Sequence, residues 1–143
     1  MKDETLRPYD ILKKYKVSIT KSRLVLLEFF CQKPKPFSLK EILQYCISKS
    51  TDRSTVFRNL NYFLKLGVIV RTRGGISTDK DFYYLNLNSG SHFHFVFCRN
   101  CRQWFKISSC KVNHMEKALE SKGFSNLSHT LEFYGVCNSC QNL

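Results

Sequence analysis

Arg53-Ser54-Thr55-Val56-Phe57-Arg58-Asn59-Leu60-Asn61-Tyr62-Phe63-Leu64-Lys65-Leu66, closed by Gly67, is the stretch that decides the fold. Val56, Leu60, Phe63 and Leu64 recur at helical spacing and make one apolar face, and Gly67 is a helix stop. The N-terminal end of this helix carries Arg53, Ser54, Thr55, Phe57, Arg58 and Asn59. Two β-like runs follow at once, Val68–Thr72 and Phe82–Leu87. The segment joining them, Arg73–Lys80, holds Gly74-Gly75 and Ser/Thr/Asp residues and is too long for a tight turn. A helix that runs directly into a basic hairpin is the end of a winged helix.

Working outward, three earlier helices complete that pattern. Thr5 to Lys16 is a short basic, amphipathic stretch with Pro8 in its first turn, where proline is tolerated. Thr20 is placed to cap a second helix that reaches about Gln32 before Pro34 and Pro36. Ser38 and Glu41 have capping-box spacing at the head of a third helix through Ile42, Leu43, Cys46 and Ile47. Thr51 and Asp52 mark the turn into the fourth.

In a winged helix, the last helix before the hairpin enters the DNA major groove. The residues at its start suit that task. Arg, Ser and Thr bind phosphates, Arg and Asn read base edges, and Phe57 offers an apolar group to thymine methyls. Arg71, Arg73 and Lys80 on the hairpin suit backbone or minor-groove contact. The plainer reading is that these charges only solvate a small helical domain.

Charge favours a polyanion partner. The chain of 143 residues has 23 Lys+Arg against 11 Asp+Glu, for a formal charge of +12. Residues 1–86 hold 17 of the basic residues and 8 of the acidic ones, whereas 87–143 hold 6 and 3. The basic half and the Cys-rich half therefore read as different modules. No apolar run approaches the roughly 18–20 residues that span a bilayer, and no signal peptide opens the chain. Seven cysteines, an odd number, suit a reducing cytoplasm.

Four of those cysteines form two Cys-x-x-Cys pairs, Cys98/Cys101 and Cys137/Cys140. Each pair presents two thiolates from one turn, and two pairs supply a closed tetrahedral shell that suits Zn²⁺, one ion per chain. The 35 intervening residues leave room for a strand, a helix and more strand. Disulfides or a redox Cys-x-x-Cys are the competing reading, which the spacing and the compartment disfavour.

Several fragments, in a shared order, resemble the ferric uptake regulator family. Ser54-Thr55-Val56-Phe57-Arg58-Asn59-Leu60 is similar to that family's recognition-helix signature, with Phe57 in place of tyrosine. Ile19-Thr20-Lys21-Ser22-Arg23 looks like its opening motif and keeps Thr20 and Arg23. The closing run from Ser128 to Cys137, with His129 and Tyr134-Gly135, matches its end.

The resemblance implies a homodimeric, cytoplasmic metalloregulator that binds a double-stranded DNA operator as a repressor, with no enzymatic activity. It implies an α+β chain with a winged-helix domain at 1–86, a hinge at 87–91 and a zinc-stapled α/β dimerisation domain at 92–143. It adds Thr20 and Arg23 to the DNA-binding residues and makes the four cysteines structural zinc ligands. It also exposes departures. The family's sensory ligand positions at the hinge fall here on Phe93, Phe95, Lys106, Pro36 and Tyr83 or Tyr84, none of which suits a divalent metal. A second site in the dimerisation domain would draw on His92, His94, Asn113 and His129, with Cys110 or His114 as substitutes for the weak Asn113 ligand. Imidazoles there favour Zn²⁺, Co²⁺, Ni²⁺ or Cu²⁺. The competing reading makes these histidines surface and core residues without metal.

Two other classes compete with the regulator. A zinc-dependent deaminase would need a His-x-Glu acid/base and an open metal position, and four cysteines leave none. A zinc-ribbon adaptor that binds protein or RNA would lack operator specificity.

Overall fold

A computed structural model describes residues 7–74, 80–86, 94–107 and 110–142, and the chain divides into two compact units, Met1–Asn86 and Leu87–Leu143. The expected hinge at 87–91 and most of the wing loop lie outside the described residues. Among the described residues no helix is long and apolar enough to cross a membrane.

The first unit runs α1 (Pro8–Lys14), α2 (Lys21–Cys31), β1 (Phe37–Ser38), α3 (Leu39–Ser48), α4 (Arg53–Leu66), β2 (Ile69–Arg73) and β3 (Asp81–Leu85). Its helices begin where side chains satisfy their first N–H groups. Thr20 accepts from the Arg23 amide at α2, and Ser38 and Glu41 close a full capping box at α3. Asp52, expected as a turn residue, caps α4 by accepting from the Thr55 amide. Ile11, Leu12, Leu26, Leu27, Ile42, Val56 and Phe63 meet in one core, each almost fully buried. Phe29, Phe30 and Phe37 add an aromatic cluster with centroids 4.5–6.0 Å apart.

The wing pairs β2 with β3 antiparallel, from Ile69↔Leu85 to Arg73↔Asp81. A third strand, β1, joins the far edge of β3 through Phe37↔Tyr83, giving the order β1-β3-β2. Two residues are too few to show a periodicity, which is why the sequence reading missed β1. Gly67 ends α4 in the left-handed region at φ 74°, donating to the Leu64 and Phe63 carbonyls. A Cβ there would meet no atom within 4 Å, so only backbone strain opposes a side chain. Gly67→Ala is therefore expected to cost about 1–2 kcal/mol, read as a lower denaturant midpoint with an unchanged m-value.

The second unit runs β4 (His94–Cys98), β5 (Trp104–Ile107), α5 (Asn113–Glu120), β6 (Phe133–Gly135) and α6 (Asn138–Gln141). β4 is central, antiparallel to β5 and parallel to β6. Phe95 and Phe97 pack against Trp104 at 6.3 and 4.8 Å. No residue of α5 is buried, and Met115, Leu119, Phe124 and Phe133 are exposed. This mixed α+β architecture is a winged helix joined to a small α/β dimerisation fold.

Candidate metal centres and nucleic-acid interface

The four paired cysteines meet because of strand register. Parallel pairing sets Gly135 beside Cys98, so the chain reaches Cys137 two residues later next to the end of β4. The turn after β4 then presents Cys101, and the first turn of α6 presents Cys140. All four sulfurs lie within 4.8 Å of one another, and Cys101 Sγ is 3.8 Å from Cys137 Sγ. That separation is far beyond a disulfide bond, and all the cysteines are free thiols. It matches the edge of a tetrahedron with Zn–S of about 2.3 Å, which is roughly 3.8 Å.

The donors are prepared for a cation. Backbone N–H groups of Cys137 and Cys101 hold the Cys98 thiol down to about 6, and the Cys137 amide lies 3.3 Å from its sulfur. Hydrogen bonding to Cys137 pushes Cys140 up to about 12, a proton that metal binding would release. Cys31 and Cys46, in the other unit, are pushed up to about 11 mainly by burial and are correspondingly unreactive.

A second cluster lies in the same unit. His94, Cys110 and His129 place one donor atom each within 4.8 Å of one another. His129 Nε2 is 3.2 Å from His94 Nε2 and 3.4 Å from Cys110 Sγ. On its far side, His129 Nδ1 is 2.6 Å from Glu116 Oε1. His94 is buried, at 4% exposure. Of the expected second-site residues, His92 lies outside the described residues, and Asn113 is exposed at the first position of α5. Cys110, considered only as a substitute, stands with the two histidines. Its sulfur carries no Cys-x-x-Cys spacing, so no local motif marks it. A His-x-Glu pair does occur, at His114 and Glu116, but His114 is exposed and Glu116 is committed to His129.

The positions on which the family's sensory ligands would fall are aromatic, proline or cationic. Pro36, Tyr83, Tyr84 and Phe95 are buried and Lys106 is exposed, while Phe93 lies outside the described residues.

At the start of α4, Arg53, Ser54 and Arg58 are exposed and Thr55 and Phe57 half-buried. The Arg53 guanidinium lies over the Phe57 ring at 5.5 Å. Arg58 Nη2 donates to Thr55 Oγ1 at 3.2 Å, and Thr55 Oγ1 donates to Asp52 at 2.6 Å. Asn59 requires a correction. It is buried, and its amide donates to Ser22 Oγ at 3.0 Å, so it faces α2 and cannot read a base. The exposed asparagine on the Phe57/Arg58 side is Asn61, a helical step further on, which sequence reading passed over. Thr20 is spent on the α2 cap, and Arg23 donates to the Ser18 carbonyl at 2.9 Å while stacking on Tyr62 at 4.9 Å. In the wing, Arg73 and Lys80 are exposed, and Arg71 lies 3.6 Å from Asp81.

Comparison with known proteins bears on all of this. The sequence profile of the ferric uptake regulator family matches residues 14–134. The ferric uptake regulation protein of Staphylococcus aureus is 30% identical over 134 residues, covering 92% of this chain and 94% of its own length. The solved ferric uptake regulator of Francisella tularensis with iron is 26% identical, with a TM-score of 0.62 over 87% of this chain and 94% of that one. A zinc uptake regulator solved with zinc and DNA has a TM-score of 0.66 over 94% and 90%, and at 19% identity it speaks to fold alone.

Proposed function

Because this chain belongs to the ferric uptake regulator family, whose members are transcriptional regulators of metal homeostasis and not enzymes, we propose that it is a cytoplasmic, operator-specific repressor acting as a homodimer. The exposed, cationic N-terminal face of α4 carries this reading. Arg53, Ser54, Thr55, Phe57 and Arg58 form the groove-facing set with Asn61, and Arg73 and Lys80 approach the flanking backbone. Asp52 and Thr55 hold Arg58 through one hydrogen-bonded chain, which reduces the ordering cost of its docking.

The exposed apolar side chains Met115, Leu119 and Phe124 support the homodimer, since a helix with no buried residue leaves its apolar face for a partner copy. Cys98, Cys101, Cys137 and Cys140 hold the structural Zn²⁺, which supplies cross-linking and no catalysis. The positions that would supply the family's sensory ligands are here Pro36, Tyr83, Tyr84, Phe93, Phe95 and Lys106, residue types that do not supply the usual histidine and carboxylate ligands, so this regulator does not bind a sensory metal in the family's usual way.

Selection of duplexes from a random pool, followed by anisotropy titration, tests the DNA reading. A palindromic site is expected. Arg58→Ala or Asn61→Ala is expected to lose on the order of 1–3 kcal/mol of operator binding and to relax specificity at one position. Arg73→Ala should weaken all duplexes alike and reduce the salt slope by about 1. Unchanged operator affinity in the Arg58→Ala/Asn61→Ala double variant would show that another surface reads DNA.

A further inference from the structure

Building on the operator reading above, we propose that Asp52 is a specificity-determining positioning residue. It aims Arg58 at a base edge through Thr55, and its charge turns non-operator backbone away from the start of α4. Asp52 is exposed, and it is the one carboxylate within residues 51–66, directly before Arg53. A negative charge at the head of a helix that meets a polyanion opposes binding in general. Its place there makes sense when the contacts it weakens are the unspecific ones.

Hydrogen-bond polarity makes the chain one-directional. Asp52 Oδ2 accepts from the Thr55 amide at 3.0 Å, and Oδ1 accepts from the Thr55 hydroxyl at 2.6 Å. That hydroxyl has given its only proton to Asp52, so toward Arg58 it can only accept, and Nη2 donates to it at 3.2 Å. The Thr55 hydroxyl and amide, and then the Arg58 charge, hold the Asp52 carboxyl below the usual carboxylate range, which keeps it ionised at neutral pH. An asparagine there would keep an acceptor for the Thr55 amide but turn an N–H toward the hydroxyl, which breaks the sequence of donors.

Two effects then separate the operator from other duplexes. Arg58 gives one donor to Thr55 and keeps others for a bidentate contact to a base, the contact that carries sequence information. A tethered guanidinium loses less freedom on docking at one fixed place, and it is less able to swing onto whichever phosphate is nearest. Non-specific binding comes almost wholly from phosphates, and the Asp52 carboxylate both repels them and occupies the amide end of α4 that an anion would otherwise take. Specificity is a difference of affinities, so weakening backbone contacts while favouring one base contact raises it from both ends.

The test titrates the full-length protein with its selected operator and with a scrambled duplex, at several salt concentrations. Asparagine caps helices as well as aspartate does, so Asp52→Asn should fold. It should bind the scrambled duplex about 3- to 10-fold more tightly, with a salt slope steeper by about 1 as Arg58 turns to a phosphate. Its ratio of operator to scrambled affinity should fall at least about 10-fold. Thr55→Val keeps the Asp52 charge, so operator affinity should fall with no gain on the scrambled duplex, and Thr55→Ser should recover most of that loss. Without DNA, NMR should show the Arg58 guanidinium turning slowly in wild type and Thr55→Ser, and freely in Asp52→Asn and Thr55→Val. A purely structural Asp52 would lower both affinities together, in step with the thermal midpoint. That result, or an unchanged affinity ratio in Asp52→Asn, would overturn the proposal while leaving the operator reading intact. A wild type that holds Arg58 rigidly yet prefers no duplex would overturn the operator reading and the role of Asp52 with it.

Discussion

Cys98→Ser is expected to remove about one zinc per chain, dissociate the proposed dimer and unfold the unit Leu87–Leu143 while α1–α4 stay folded. Cys98 ends the central strand of that unit and is 1% exposed, and the sulfur accepts from the Cys137 amide. Few other groups hold the unit together. Its buried apolar side chains among the described residues are Phe95 and Phe97 beside Cys98, and α5 contributes none. A unit of this size buries too little surface to fold securely without a cross-link. Apparent zinc-binding energies of about 10–16 kcal/mol for structural sites far exceed what such a core supplies, so losing a ligand costs several kcal/mol. Metal analysis, sedimentation and near-ultraviolet circular dichroism would read the effect. A Cys98→Ser protein that remains a zinc-loaded, folded dimer would remove the structural role from this cluster.

Phe63→Ala should have the next largest effect, confined to the other unit. Phe63 is fully buried on the inner face of α4, among the largest enclosed side chains of the chain. Truncating a buried phenylalanine costs about 3–5 kcal/mol through lost transfer energy and a residual cavity. Set against total stabilities of roughly 5–15 kcal/mol for whole domains, that is enough to unfold much of the population near body temperature. Operator binding should fall with it, while the zinc stoichiometry stays at the wild-type value. Calorimetry should show the transition of the first unit moving down and the metal-dependent transition staying in place. Two transitions moving together would mean that the units share one cooperative core.

Local rules made the first unit legible in advance. Thr20, the Ser38/Glu41 box and Gly67 act within one helical turn, and each sits in the structure where those rules place it. Non-local facts were hidden. β1 exists only because β3 accepts it, and its two residues carry no pattern of their own. The two Cys-x-x-Cys turns were visible from spacing, but their meeting depends on the parallel register of β4 and β6, which no spacing encodes. Asn59 was misread because base-reading chemistry and core hydrogen bonding draw on the same amide, and only its burial against Ser22 separates them. Cys110 lies nineteen residues from His129 and sixteen from His94, so its convergence with them is a property of the fold alone.

The bond from Asn59 to Ser22 has a geometric consequence. Successive residues turn about 100° around a helix axis, so slipping α4 by a single position would carry that amide out of reach of α2 and strand it in an apolar layer. Greasy contacts along Val56, Leu60 and Phe63 tolerate small rotations, whereas a single polar pair does not. The angle at which Arg53, Phe57, Arg58 and Asn61 present themselves to solvent is thus aimed from behind, by a contact on the hidden side of the same cylinder.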